Sequence, residues 1–255
     1  MAVNLSYSAL SMYEQCPKMY EFRYIEKLPS RQNGAMSYGT SIHNTLYKFL
    51  IPLLPKDTSQ TSLFDEQIIP DMSLSRLLEL LDENWSEFGY NDRKFMFTKK
   101  REAMELLTKW HEKYNGNFGN PILLETKFTV SCGEYTITGR FDRIDLLPDG
   151  SVHIIDYKTG KLRTQKDVDE DSQLSMYALA VKQTLGLPVG RLSLYFVTQD
   201  QEIITMRSED SLTDFARGVE KIGTSIDQKY FPATPSKVQC TYCDFASVCS
   251  DRWIE

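Results

Sequence analysis

Residues 139–161 read GRFDRIDLLPDGSVHIIDYKTGK, two predicted strands joined by a Pro-Asp-Gly turn. Alternating or continuous apolar residues are typical of strands, and Asp-Gly is a common turn pair. Upstream, ILLETKFTV and YTITG extend the pattern across a second turn at Cys132 and Gly133. The sequence therefore predicts a three-strand meander.

Two aspartates lie on neighbouring strands of this meander. Asp142 is on the second strand and Asp156 on the third, and Lys158 shares a strand face with Asp156 because side chains alternate. Tyr157 faces the other way and can offer its backbone carbonyl. Two carboxylates, a carbonyl and an amine on one surface suit Mg²⁺ with a water beside the amine, since hard cations prefer oxygen ligands.

A lone Asp-x-Lys triplet is more often an exposed ion pair at the rim of a sheet. Here Ile154 and Ile155 precede Asp156, so the aspartate ends a buried strand. An unpartnered carboxylate is costly in such a place. The context therefore favours the metal site over the ion pair.

Three polar residues on predicted helices are further candidates for the site. His43 lies in GTSIHNTL on a helix predicted over 37–54, and neutral imidazole is a common metal ligand, although a single histidine is more often core or surface. Gln173 and Tyr177 are four apart on a helix predicted over 172–185, hence on one face. They could contact a nucleic-acid backbone or orient Lys158, or simply be helix surface.

Five cysteines without an export signal argue against a disulfide framework. Three of them, Cys240, Cys243 and Cys249, are separated by gaps of two and five residues near the C-terminus. One ion or cluster can bind thiolates so close together, and Cys16 could supply a fourth if the termini meet. Four thiolates suit zinc and an iron–sulfur cluster alike. Cys132 is expected in a hairpin turn.

Composition indicates an ordinary globular protein with a slightly acidic surface. The formal net charge is −6, so nucleic-acid binding through bulk positive charge is excluded and would need local patches. Two clusters of lysines and arginines could form such patches, and either could instead be an ordinary solvated surface. Phe95 and Phe97 lie within the cluster that contains Lys99 and Lys100, and they are candidates for stacking on bases. The candidate DNA-binding residues are Lys161, Arg163 and Lys166 in one cluster and Lys99 and Lys100 in the other.

The other predicted elements complete an order of helices, three strands, a helix, two strands, a helix and a cysteine knuckle. Short helices are expected over 6–25, a linker over 56–72, a helix capped by Ser73 and a helix over 98–114. Two further strands precede a last helix from Leu212 to Ile226. No apolar run approaches the roughly 20 residues of a membrane span, and the N-terminus does not resemble a signal peptide, so a cytoplasmic protein without membrane contact is expected.

Four motifs occur in the order found in the PD-(D/E)xK nucleases. They are GxxxH at 39–43, GxxD at 139–142, IIDYKTGK at 154–161 and QxxxY at 173–177. Together with Cys16 in SxSxLxxYxxCP and the three later cysteines, they resemble the RecB-like branch with an iron–sulfur cluster, of the AddB and CRISPR-adaptation type.

The resemblance implies an α/β (α+β) fold with a restriction-endonuclease-like core, in which helices flank a central mixed sheet. It implies one domain over 1–255, with a mainly helical part (1–120), a catalytic sheet core (121–230) and a cysteine knuckle (231–255) that meets the N-terminal helices at a metal cluster.

The resemblance also assigns roles to individual residues. His43, Asp142, Asp156 and the Tyr157 carbonyl would bind Mg²⁺ or Mn²⁺, and Lys158 would orient or deprotonate the attacking water. Gln173 and Tyr177 would support them, while Glu125 and Asp145 receive less weight. The ligands of a [4Fe–4S] cluster would be Cys16, Cys240, Cys243 and Cys249.

The implied function is a metal-dependent DNA nuclease, in the first place an exonuclease, of DNA repair, recombination or CRISPR adaptation. Its substrate would be DNA with a free or single-stranded end, and a helicase or integrase-type protein would be a partner. AddB-type proteins carry this domain on a much longer, helicase-like chain. In this sequence the fragment TGKL resembles the phosphate-binding loop of an ATP-dependent motor but lacks the hydroxyl residue after lysine. A free-standing nuclease is therefore expected. The alternative is a non-catalytic DNA-end-binding or scaffolding module held together by zinc or iron–sulfur.

Overall fold

The computed structural model describes residues 4–30, 33–55, 70–114 and 116–254. Within these ranges six strands form one mixed sheet. The strands are β1 (Asn4–Ser6), β2 (Pro121–Cys132), β3 (Tyr135–Leu146), β4 (Val152–Lys158), β5 (Val189–Phe196) and β6 (Gln201–Thr205). The fold is therefore mixed α/β, with a central sheet flanked by helices.

The long strand β3 organises the sheet because three strands pair with it. β2 runs antiparallel to it along nearly its whole length. On the other edge, β1 pairs in parallel with Thr136–Thr138, and β4 pairs antiparallel with Arg143–Leu146. The segment 139–142 lies between these two partners, so one edge of β3 has a gap in its strand pairing there. β5 then runs parallel to β4, and β6 antiparallel to β5.

Helices cover both faces of the sheet. The described α-helices are α1 (Tyr7–Gln15), α2 (Pro17–Tyr20), α3 (Gly34–Leu50), α4 (Leu74–Asn84), α5 (Arg93–Tyr114), α6 (Gln165–Asp169), α7 (Ser172–Thr184), α8 (Glu209–Asp227) and α9 (Lys237–Thr241). A short π-helical turn, Glu21–Ile25, follows α2. Among these helices none has both the length and the apolar character that a bilayer crossing requires.

Strand alternation divides the apolar residues into two cores. Ile154 belongs to the core between the sheet and α1, α7 and α8. Its neighbour Ile155 belongs to the core on the opposite face, beneath α3, α4 and α5. Because side chains alternate, Asp156 and Lys158 share the face of Ile154, while the side chain of Tyr157 is buried in the second core.

The meander, its two turns, the two later strands and the last helix agree with the sequence prediction. Three features differ from it. β1 was not expected, since three residues carry no periodic signal and their pairing depends on β3. α5 begins at Arg93 rather than 98, where Asp92 Oδ1 accepts the Phe95 N–H at 2.7 Å. α6 lies in the expected loop after Lys158. Most of the predicted linker, 56–69, falls outside the described residues.

Candidate active site

The gap on the edge of β3 lies at the centre of the predicted site. Asp142 is within it, and Asp156 and Lys158 end the adjacent strand β4. α3, on the sheet face of Ile155, contributes His43. α7, on the opposite face, contributes Gln173 and Tyr177. The fold thus brings together residues that are up to 134 positions apart in the sequence, from His43 to Tyr177.

One half of the site is a group of three possible metal ligands. Ligand atoms of His43, Glu125 and Asp142 all lie within 4.8 Å of one another. His43 Nδ1 is 3.3 Å from Asp142 Oδ2 and 3.9 Å from Glu125 Oε1. Asp142 Oδ2 also accepts the backbone N–H of Tyr157 at 2.9 Å, which ties β3 to β4 across the gap.

The other half is a closed ring of polar contacts between β4 and α7. Lys158 Nζ lies 2.5 Å from Asp156 Oδ2 and donates to Gln173 Oε1 at 2.8 Å. Gln173 Nε2 donates to Tyr177 Oη at 2.8 Å, and Tyr177 Oη donates to Asp156 Oδ1 at 2.9 Å. Asp156 Oδ2 is buried and accepts no hydrogen bond from the described residues, so the ion pair with Lys158 is its main compensation.

The pKa shifts of the site residues reflect burial and the crowding of carboxylates. Burial raises the pKa of Asp156, although the Lys158 ammonium opposes the shift. Burial and then the charge of Asp142 raise the pKa of Glu125. Burial alone would lower the pKa values of His43 and Lys158, but hydrogen bonds and charges of the neighbouring carboxylates outweigh it and raise both. Crowded carboxylates of this kind are relieved by a cation.

Two glycines of the motifs permit this close assembly. A Cβ on Gly39 would lie 3.1 Å from Thr159 Oγ1, so the small residue lets α3 approach the end of β4. A Cβ on Gly139 would lie 2.3 Å from Cζ of Phe128, whose ring covers that position of β3. Neither glycine has a positive φ, so both are required for their small size and not for a special backbone conformation.

Of the two acidic residues given less weight in the sequence, one is in the site and one is not. Glu125 of β2 lies within 4.8 Å of His43 and Asp142 and also forms an ion pair with Arg140 Nε at 2.7 Å. Asp145 instead forms a buried ion pair with Arg143 at 2.6 Å. Both acidic residues fit the strand pattern equally well. The sequence signal that separates them is that Asp145 is three positions from Asp142 on the same strand, so its side chain lies on the opposite face of the sheet.

The four cysteines of the split motif meet, although not as a compact group. Cys16, Cys240, Cys243 and Cys249 line one cavity of about 30 Å³. Thr234 Oγ1 donates to the carbonyl of Gln15 at 2.9 Å, and Gln239 also donates to it, so the C-terminal segment lies against the end of α1. No three of their sulfurs lie within 4.8 Å of one another in the described chain. Cys132 is buried elsewhere, at the end of β2.

The predicted DNA-binding residues are mostly paired with carboxylates. The pairs are Lys99–Glu102 at 2.6 Å, Lys100–Asp82 at 2.8 Å, Arg163–Asp171 at 2.6 Å and Lys166–Glu170 at 3.9 Å. Lys161 is exposed and has no ion pair within the part of the chain that the structure describes. These pairs reduce the positive potential that the sequence suggested.

The central mixed sheet flanked by helices is consistent with the core of a PD-(D/E)XK nuclease. Residues 4–250 match that superfamily, and the chain belongs to it.

Among known proteins, the Gene 69 protein of Mycobacterium phage D29 is 23% identical over 96% of this chain and 95% of its own length. An ATP-dependent helicase/deoxyribonuclease subunit of Carboxydothermus hydrogenoformans is 25% identical over 64% of this chain but only 17% of its own length. A solved structure from Eubacterium rectale, described as a "Putative exonuclease", superposes with a TM-score of 0.54 and 12% identity, covering 99% of this chain and 89% of that one. This last likeness concerns the fold.

Proposed function

We propose that this protein is a metal-dependent deoxyribonuclease that hydrolyses phosphodiester bonds of DNA, in the first place as an exonuclease. The observation that carries the proposal is the gap in the pairing of β3, where the His43–Glu125–Asp142 group adjoins the Asp156–Lys158 pair. A chain of the nuclease superfamily that only gripped DNA would have no chemical need for this set.

The residues present fit a divalent cation. Asp156 is buried with the Lys158 ammonium 2.5 Å from its Oδ2, and ligand atoms of His43, Glu125 and Asp142 lie within 4.8 Å of one another. His43, Asp142, Asp156, the Tyr157 carbonyl and Glu125 would hold Mg²⁺ or Mn²⁺. When bound, the cation supplies charge neutralisation at the phosphate and a water of lowered pKa.

The remaining side chains hold the reacting groups in position. Lys158 extends from the end of β4, and its ammonium would orient the attacking water. Gln173 holds the Lys158 amine by its 2.8 Å hydrogen bond, and Tyr177 holds the Asp156 carboxylate. Both are therefore positioning residues, and their loss should cost less than loss of Asp156 or Lys158.

The test is digestion of end-labelled and circular DNA, single- and double-stranded, with Mg²⁺ or Mn²⁺ and with EDTA. Wild-type protein should degrade linear DNA only with the cation, and Asp142→Asn, Asp156→Asn and Lys158→Ala should each lose at least about two orders of magnitude in rate. Lys182→Ala is a matched control because it removes a surface lysine of α7. Wild-type binding of DNA ends without cleavage would instead favour the scaffolding alternative.

We also propose a structural [4Fe–4S] cluster bound by Cys16, Cys240, Cys243 and Cys249. The cavity that the four cysteines line together supports this proposal. Structural zinc sites usually take their ligands from a short local segment, whereas Cys16 lies 224 positions before Cys240.

The substrate and the biological partners follow from the same reasoning. DNA with a free or single-stranded end fits an exonuclease, and DNA repair, recombination or CRISPR adaptation would supply such ends. The similarity to part of a helicase/deoxyribonuclease supports a helicase-type partner for this chain, with an integrase-type partner as the alternative.

A further inference from the structure

A groove of about 500 Å³ opens beside the candidate active site. Its lining includes Tyr38 of α3, Tyr90 and Phe95 near the start of α5, and Thr159 and Gly160, which directly follow Lys158. We call it the aromatic groove. Its volume lies within the range of about 300–1,000 Å³ typical of small-ligand sites.

A series of ring contacts holds one wall of the aromatic groove in place. The Tyr38 ring meets Trp85 edge-on at 6.1 Å, and Trp85 stacks on Tyr90 at 6.0 Å. Tyr90 in turn lies 6.3 Å from Phe95. A Cβ on Gly34 would come within 2.7 Å of the Tyr90 ring, so the ring packs directly on the backbone of α3. The series ends at Phe95, which is 45% exposed.

The charges of the groove favour a neutral aromatic ligand over a bare phosphate. Lys99 Nζ lies 5.6 Å from the centre of the Phe95 ring but is paired with Glu102 at 2.6 Å. Both charged residues line the groove, so their effects largely cancel. Unpaired nucleobases are flat and uncharged, and they stack on exposed aromatic side chains regardless of sequence.

We infer that the aromatic groove binds an unstacked nucleobase of single-stranded DNA, with Phe95 as its stacking surface. The inference rests on the proposed function, because continuity with Lys158 through Thr159 and Gly160 places that base next to the phosphate to be cleaved. A base within a duplex is already stacked and paired, and it cannot enter the groove without being extruded. The site therefore selects single-stranded DNA.

The test measures binding of the full chain to fluorescein-labelled DNA in EDTA, so that cleavage does not interfere. Phe95→Ala should weaken binding of a single-stranded 12-mer by about tenfold or more. Phe95→Trp should restore it. Phe97→Ala is the matched control, since Phe97 is 60% exposed on the same helix but does not line the groove. Blunt duplex binding should not change with Phe95→Ala.

A set of 12-mers with one abasic position each identifies the base that occupies the groove. One abasic position should weaken wild-type binding as much as Phe95→Ala does, and should cause no further loss in that variant. The inference would be overturned if, at every position, the loss of affinity caused by the abasic site multiplied fully with the loss caused by Phe95→Ala. It would also be overturned if the affinity of Phe95→Ala lay within twofold of wild type. Cleavage by wild type together with either result would leave the nuclease proposal standing. Groove-dependent binding without any cation-dependent cleavage would refute only the nuclease proposal.

Discussion

Glu125 combines a position in a strand with a left-handed backbone, with φ of +47°. Residues other than glycine rarely adopt this conformation, and where it is retained the surrounding structure must enforce it. The strained backbone here directs a carboxylate toward His43 and Asp142, within 4.8 Å of both. The backbone strain thus lies at Glu125, one of the three possible metal ligands.

Glu125→Gln should raise the Mn²⁺ concentration needed for half-maximal cleavage by about tenfold or more, because a carboxylate ligand is replaced by a neutral amide. Titration of activity with Mn²⁺, together with calorimetric binding of Mn²⁺ to the protein alone, measures this directly. Glu134→Gln, an exposed change in the turn before β3, serves as the control. An unchanged Mn²⁺ requirement in Glu125→Gln would remove Glu125 from the ligand set.

Gly139→Ala should destabilise the protein by about 1–3 kcal/mol, because the added methyl would overlap the Phe128 ring. Gly218→Ala provides the contrast: nothing lies within 4 Å of the new Cβ in α8, and the change should stabilise by roughly 0.5–1 kcal/mol. Urea denaturation of both variants gives the comparison. Phe128→Leu should partly rescue Gly139→Ala, and equal stabilities of the two glycine variants would contradict the steric argument.

At the level of elements, the C-terminal segment depends on α1 for its place. The contacts on the Gln15 carbonyl come from Thr234 and Gln239, and Tyr13 Oη donates to the Tyr230 carbonyl at 2.5 Å. Phe245 is buried against Phe22, with ring centres 5.8 Å apart. A cluster bound by Cys16 and the three later cysteines would join the two ends of the chain across the nuclease core, which restricts the unfolded state.

Anaerobically purified wild-type protein should be brown and contain about four irons per chain, and Cys16→Ala should lose them. Hydrogen exchange should then speed up in residues 233–250 but not in β3, because only the attachment of the C-terminal segment to α1 is lost. Cys132→Ala should keep its iron, since that thiol is buried at the end of β2. Colourless anaerobic protein with one zinc, or Cys16→Ala with full iron content, would overturn the assignment without affecting the nuclease proposal.

At the level of the whole molecule, a net charge of −6 must be reconciled with an anionic substrate. Lys99, Lys100, Arg163 and Lys166 all carry carboxylate partners, so each would have to exchange an internal ion pair for a phosphate contact. Lys161 has no such pair within the described ranges and follows Lys158, the last residue of β4, by three positions. It is therefore the strongest candidate among the five for a phosphate contact.

Lys161→Ala should reduce the slope of log affinity against log salt by about one and weaken binding to all DNA sequences alike. Lys221→Ala, an exposed lysine on α8, should leave the slope unchanged. Binding isotherms between low and moderate salt measure both. A slope in Lys161→Ala equal to that of wild type would show that the phosphate track lies elsewhere.

Much of the fold was predictable because its signals are local. Alternation in β2, β3 and β4, the Pro-Asp-Gly turn and the apolar face of α8 are properties of short windows of sequence. The start of α5 at Arg93 has a local signal that the prediction missed, the capping side chain of Asp92. β1 has none, because it depends on a partner about 130 residues away. The proximity of His43, Gln173 and Tyr177 to Asp156 was expected only through the resemblance to a family.

The amino-acid sequence by itself determined the strands β2 to β6, the order of the motifs and the set of side chains able to hold a cation. These properties depend on residue type and on spacing within a few positions. Only the tertiary structure decided that Glu125 joins His43 and Asp142 while Asp145 pairs with Arg143, and that β1 and β4 leave the gap where the site lies. It also decided that four of the five candidate DNA-binding residues, Lys99, Lys100, Arg163 and Lys166, are paired with carboxylates. Such outcomes depend on distances between segments far apart in the chain, which residue order does not specify until the sheet has formed.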